Sequence, residues 1–173
     1  ISSKTHDGIV CSIKLDPTHK KIAVGTDKNT VSVFDGRTSM CFAKHTASIK
    51  ALAWHPYKTN CVISGGGFGD GRLVMWDSFG GEIIKYSDRN DQMTSIHCYH
   101  DSIIASSGQK LKIFDLHSYK CYKEYTPRPY RMIQCVIDGN TLVAVSPHDV
   151  VSVIRIYDDC CKSVKQENGL NMR

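Results

Sequence analysis

The sequence predicts an all-β propeller, and three observations carry that prediction: one ending repeated four times, short alternating runs set between turn residues, and no helical period before the tail. The endings are Val31-Ser32-Val33-Phe34-Asp35, Leu73-Val74-Met75-Trp76-Asp77, Leu111-Lys112-Ile113-Phe114-Asp115 and Ile154-Arg155-Ile156-Tyr157-Asp158. Their closing aspartates stand 42, 38 and 43 residues apart. A fixed period near forty, holding about four strands per repeat, is the signature of propeller blades.

Within the first period, runs over Ile9 to Leu15, Lys21 to Gly25 and Thr30 to Phe34 alternate in polarity and are divided by Pro17 and by Asp27-Lys28-Asn29. Alternation half-buries a strand, and proline, aspartate and asparagine end it in a turn. The second period predicts strands at Ile49 to Trp54, Val62 to Gly65 and Arg72 to Trp76, with an outer strand near Glu82 to Tyr86. Its turns are His55-Pro56 and a glycine-rich stretch ending at Gly71. The third predicts Met93 to Tyr99, Ser102 to Ser106, Lys110 to Phe114 and Cys121 to Tyr125; the fourth predicts Met132 to Ile137, Thr141 to Val145 and Ser152 to Tyr157. Four blades follow, at about 6–44, 45–91, 92–128 and 129–158. Residues 159–173 are polar and are expected to form a flexible tail.

Composition narrows the function. Of 173 residues, 41% are apolar before the 13 glycines are counted, which is enough for a packed core and excludes general disorder. No apolar run approaches the roughly 20 residues of a membrane-spanning helix, so no membrane partner is expected. The 22 basic and 17 acidic side chains are interspersed, and the pI near 8.7 comes without a basic cluster, so no nucleic-acid partner is expected either. Of eight cysteines, Cys11, Cys61, Cys98 and Cys135 lie in apolar runs and no CxxC occurs. They read as small core residues in a reducing compartment, with no metal site and no cofactor. No nucleophile elbow, phosphate loop or HExxH is present, and Gly65 to Gly71 joins two strands without opening a helix, so no catalysis is expected. The histidines read as turn or core residues. The chain opens at Ile1 with no targeting signal, and its N-terminus is expected to continue from a longer protein.

The period and endings resemble WD40 repeats. That resemblance implies polar wiring in which a histidine before a blade's first strand meets an aspartate in the turn before its third. His6 or its neighbour with Asp27, and His45 with Asp70 and Trp76, are the two best-kept sets. The third blade carries Ser107-Gly108-Gln109 where the aspartate is expected and has drifted. A propeller hides its sheet faces by closing into a ring of about seven blades, so roughly three more are expected on the N-terminal side or from a partner.

Blade two is more specific. Lys50-Ala51-Leu52-Ala53-Trp54-His55-Pro56, then Ser64-Gly65-Gly66-Gly67, Asp70 and Trp76, resembles the fifth blade of the Fizzy family (cell-division-cycle-20 and Fizzy-related type). The other blades follow in register as blades four, six and seven. The family supplies substrate-recognising activators of the anaphase-promoting complex, a ubiquitin ligase. The resemblance implies a non-catalytic adaptor that binds KEN and destruction-box degrons of substrates such as cyclins and securin. Carried over by position, the KEN-type pocket comprises Gln92 and Arg131, with Asp27 and Phe68 where the family has asparagine and threonine. A Lys-Glu-Asn peptide offers a carboxylate for Arg131 and an amide for Gln92. The destruction-box groove lies between last and first blades, and no residue is carried over for it.

The chain ends in Met172-Arg173, similar to the family's Ile-Arg tail, which docks on a tetratricopeptide-repeat subunit of the ligase. The Met-Arg ending and drifted blades point to a divergent member, a fungal meiosis-specific one, and the family implies nucleus and cytoplasm. The alternative is a generic WD40 scaffold in another multiprotein assembly, with the same fold and no use for the pocket or tail.

Overall fold

The computed structural model describes residues 7–36, 39–89, 91–126, 131–146, 150–156 and 164–167. Among them, strands fall into four antiparallel four-stranded sheets, each a meander in chain order. Blade one is β1 (Val10–Leu15), β2 (Ile22–Thr26), β3 (Thr30–Phe34) and β4 (Ser39–Ala43). Blade two is β5 (Ile49–Trp54), β6 (Cys61–Gly66), β7 (Leu73–Asp77) and β8 (Ile83–Tyr86). Blade three is β9 (Met93–Tyr99), β10 (Ser102–Ser107), β11 (Lys110–Asp115) and β12 (Cys121–Tyr125). Blade four is β13 (Gln134–Asp138), β14 (Thr141–Ser146), β15 (Val150–Ile156) and β16 (Val164–Glu167).

The last strand lies inside the stretch expected to be a flexible tail. Its backbone pairs along β15, from Val153 opposite Glu167 to Ile156 opposite Val164, so the tail expectation does not hold over those four residues. An outermost strand has one neighbour and a largely solvated surface, as β4, β8 and β12 also show, so it needs little apolar patterning.

The core lies between blades. Val31, Val33 and Phe42 of blade one meet Leu52, Val62, Val74 and Trp76 of blade two, and the Phe42 ring stacks on Trp76 at 5.6 Å. The opposite face of blade two, with Ile63, Leu73 and Met75, packs against Met93, Ile96, Ile103 and Phe114. Ile104, Leu111 and Ile113 then meet Met132, Cys135, Leu142 and Ile154. Blades two and three thus bury both faces, which is why their central strands read as nearly continuous apolar runs. Burial pushes the Cys98 thiol up to about 12, as expected of a packing residue.

The triple glycine is a packing requirement. A Cβ on Gly65 would lie 2.7 Å from Cβ of Met93 in the next blade, one on Gly66 would enter the Asp70 carboxylate, and one on Gly67 would lie 2.7 Å from the Ser48 carbonyl. Side chains at these positions would push blade two off blade three and displace the turn that carries Asp70.

The terminal blades have no such neighbour among the described residues. Val10, Ile13, Leu15 and Ile22 stand exposed on blade one, Ile13 at 61%. On blade four, Val136 faces Val143 and Val143 faces Val153 across the sheet, and Val136 is 54% exposed.

Candidate functional site

Antiparallel pairing sets the start of each first strand beside the end of the second: Val10 opposite Thr26, Ile49 opposite Gly66, Met93 opposite Ser107 and Gln134 opposite Val145. The segments entering the blades and the turns before their third strands therefore share one rim. Asp27 and Phe68 lie on such turns, and Gln92 and Arg131 on such entries.

On that rim, Arg131 Nη2 donates to Gln92 Oε1 at 2.5 Å. The two residues are 39 positions apart and belong to adjacent blades. With its oxygen occupied, the Gln92 amide keeps its N–H donors, while the guanidinium is held at one corner and retains its others. Arg131 also lines a cavity of about 470 Å³ with Cys11, Lys50, Thr94, Ile133 and Gln134. Every blade contributes from its first strand or the entry to it, so the cavity lies on the propeller axis. Its wall carries two cations and no carboxylate, which suits an anionic group. A smaller cavity of about 120 Å³ continues along the same strands past Lys14, Lys50 and His97. Burial holds His97 below the usual imidazole range, and its Nε2 donates to the Cys135 carbonyl at 2.6 Å.

Of the four pocket residues, Gln92 and Arg131 are joined. Asp27 is committed locally: its Oδ1 accepts the Ile9 backbone N–H at 2.8 Å and clasps the entry to blade one. Phe68 is 86% exposed on the blade-two turn and is not among the cavity's lining residues. His6, Met172 and Arg173 lie outside the described residues. Lys50, Thr94 and Gln134 went unread, although a lone polar residue in an apolar first strand, such as Lys50 between Ile49 and Ala51, is the signal that finds them.

The blade-two wiring is complete, with one member added. Trp76 Nε1 donates to Ser64 Oγ at 2.6 Å, Ser64 Oγ lies 2.7 Å from His45 Nε2, and His45 Nδ1 lies 2.5 Å from Asp70 Oδ2. Asp70 Oδ2 also accepts the Thr46 N–H at 3.1 Å. Burial lowers the His45 pKa, against the pull of Asp70, so the ring is neutral. Its single proton sits on Nδ1, facing the carboxylate, and Ser64 donates to Nε2. This serine, histidine and aspartate repeat the order of a hydrolytic triad. Ser64 is fully buried and its oxygen already accepts from Trp76, so no substrate reaches it. In blade three the register puts Ala105 where blade two has Ser64, and Phe114 where it has Trp76. The donor and its acceptor are absent together. Lys112 instead threads toward Glu124 at 3.3 Å and Asp91 at 4.0 Å.

Among the described residues no group of three histidine, cysteine, aspartate or glutamate side chains is placed to hold a metal ion, and no helix is long and apolar enough to cross a membrane. The WD domain, G-beta repeat model matches residues 2–35 and 36–77. The APC/C activator protein CDC20 of Saccharomyces cerevisiae is 29% identical over 185 residues, covering 95% of this chain and 30% of that protein. The APC/C activator protein CDH1 of the same yeast is 25% identical, covering 96% of this chain and 31% of its own length. Over nearly all of its length the chain is similar to these two yeast activators, and its first two periods match the WD repeat. A chain in the crystal structure of the mitotic checkpoint complex superposes on this one with a TM-score of 0.79 at 24% identity, covering 86% of this chain and 51% of that one, which shows the fold. The chain spans about a third of the length of the curated relatives it matches.

Proposed function

We propose that this chain is the degron-reading part of an activator of the anaphase-promoting complex, a non-catalytic adaptor of that ubiquitin ligase. The observation that carries the reading is the Arg131–Gln92 pair at the mouth of a cationic axial cavity, in a chain similar to CDC20 and CDH1 over nearly all its length. A KEN-type peptide binds there with its glutamate against Arg131 and its asparagine against the Gln92 amide. Lys50 adds a second cation beneath. Asp27, bound to the backbone, contributes charge toward the peptide lysine through its remaining oxygen, and Phe68 borders the site as an apolar rim. Met172 and Arg173 dock on a tetratricopeptide-repeat subunit of the ligase. The setting is nuclear and cytoplasmic cell-cycle control, with a meiotic role in a fungus.

Fluorescence polarisation with a labelled KEN peptide tests the pocket. Arg131→Ala should weaken capture by about 1 to 3 kcal/mol, the usual loss of a charged hydrogen bond. Equal binding by the variant and the parent would return the chain to the generic scaffold. A pull-down of the ligase with and without Met172 and Arg173 tests the tail, and equal recovery refutes its docking.

A further inference from the structure

A second candidate surface lies on the outer rim, away from the axis. Strands β4 and β8 are the outermost strands of adjacent sheets and leave a trough between them. One end, of about 560 Å³, is lined by Met40, Phe42, Gly81 and Ile83, with Phe42 stacked on Trp76 as its floor and Glu82 as its one carboxylate. The other end, of about 480 Å³, shares Lys44 and Ile83 with the first and adds Arg72, Tyr86 and Arg89. The two ends form one groove. It is apolar where Phe42 forms the floor and cationic where Lys44, Arg72 and Arg89 converge around an exposed tyrosine, with Asp88 as the acidic residue of that end.

Arg72 is partly held in place. Its Nε lies 4.0 Å from Asp70 Oδ1, a buried oxygen with no hydrogen-bond partner, and its side chain is 31% exposed. The guanidinium is thus anchored from below and open above. Strand β8 pairs with β7 on one side, which leaves its other edge for an added backbone.

We infer that this groove receives an extended acidic peptide of a partner protein, seating an apolar side chain over Phe42 and Ile83 and carboxylates against Lys44, Arg72 and Arg89. Charge complementarity selects the partner: three cations face the groove's upper end, and an acidic segment with one apolar anchor fits both halves at once. The surface is separate from the Arg131–Gln92 pair and does not depend on the function proposed for it.

The test uses the full chain and a fluorescein-labelled nonapeptide of glutamates with a single leucine near one end. Lys44→Glu combined with Arg89→Glu should lower affinity at least about tenfold, since two exposed cations become repulsive. Tyr86→Ala should weaken binding with both charges kept, and a glutamine-for-glutamate peptide should bind at least about tenfold more weakly than the acidic one. Arg131→Ala should leave this binding unchanged. Circular dichroism checks that each variant is folded. Unchanged affinity in the charge-reversed variant overturns the inference, as does equal competition by single-stranded oligouridine, which would mark an unselective anion surface. Loss on Arg131→Ala also overturns it, by moving the peptide to the axial cavity while sparing the reading made there.

Discussion

Replacing Ser64 by alanine removes the atom on which three groups of blade two converge. Ser64 Oγ accepts the Trp76 indole N–H at 2.6 Å, lies 2.7 Å from His45 Nε2, and sits 3.4 Å from the Val74 carbonyl. All of these groups are buried, so water cannot replace the hydroxyl. Trp76 would keep a donor without an acceptor, and His45 Nε2 an acceptor without a donor. Each buried unpaired group costs about 1 to 3 kcal/mol, so the variant should lose about 2 to 6 kcal/mol. Against a typical domain stability of about 5 to 15 kcal/mol, that is a large share. Urea denaturation followed by tryptophan fluorescence reads the loss as a lower midpoint at unchanged slope. Adding Trp76→Phe should recover about 1 kcal/mol or more, because it removes the stranded donor and copies the Ala105–Phe114 pair of blade three. A single variant within about 0.5 kcal/mol of the parent, or a double variant with no recovery, would refute the directed chain from Trp76 to Asp70.

Three further outcomes are expected. Burial lowers the pKa of His45, His55 and His97, so their unfolded forms bind protons that the folded forms refuse. Stability should therefore be full above the unfolded value near 6.5 and fall as pH drops below it, by up to about 1.4 kcal/mol per pH unit for each histidine; melting curves from pH 7.5 to 5 that stay level would contradict this. Gly65→Ala should cost about 1 to 3 kcal/mol through its collision with Met93, measured by urea midpoint, and a stabilised variant would refute the contact. Lys112→Met should change stability by no more than about 1 kcal/mol or raise it, since a well-packed apolar chain replaces a buried cation whose carboxylate partners, Asp91 and Glu124, are themselves exposed; a loss above about 3 kcal/mol would assign those ion pairs a larger role.

How much was legible in the sequence depends on which force placed each residue. Thr30–Phe34 and Met93–Tyr99 were read to the residue, because apolar patterning and flanking turn residues agree there. Strand β16 escaped because an outermost strand is held by backbone pairing and carries little apolar pattern. Met132 was read as opening β13, yet that strand starts at Gln134: the methionine is buried from the entry segment, where hydrophobicity reports packing and not pairing. His45, Asp70 and Trp76 were legible as a set, whereas Ser64 was not, since a serine inside an apolar strand has no periodic mark. Gln92 and Arg131 came from the resemblance to the Fizzy family, carried over by position, and their mutual bond needed three dimensions. Asp27 shows the opposite failure: a free carboxylate in sequence is half spent on the Ile9 amide in space.

The bare apolar faces of blades one and four bear on every affinity measured at the axis. Arg131 sits on blade four, whose outer face is unmatched among the described residues, and Cys11, across the same cavity, sits on blade one, whose outer face is likewise open. The two sides of the cavity are therefore held at their separation only to the extent that those faces are covered. A ligand that needs the closed arrangement binds with its intrinsic constant divided by the fraction of molecules in that arrangement. Whatever seals the faces thereby tightens the cavity around any ligand that needs it closed, and by linkage such a ligand helps to seal the faces. Binding at the centre and assembly at the edges become two readings of one equilibrium, so this stretch of propeller should report its state of closure through its affinity.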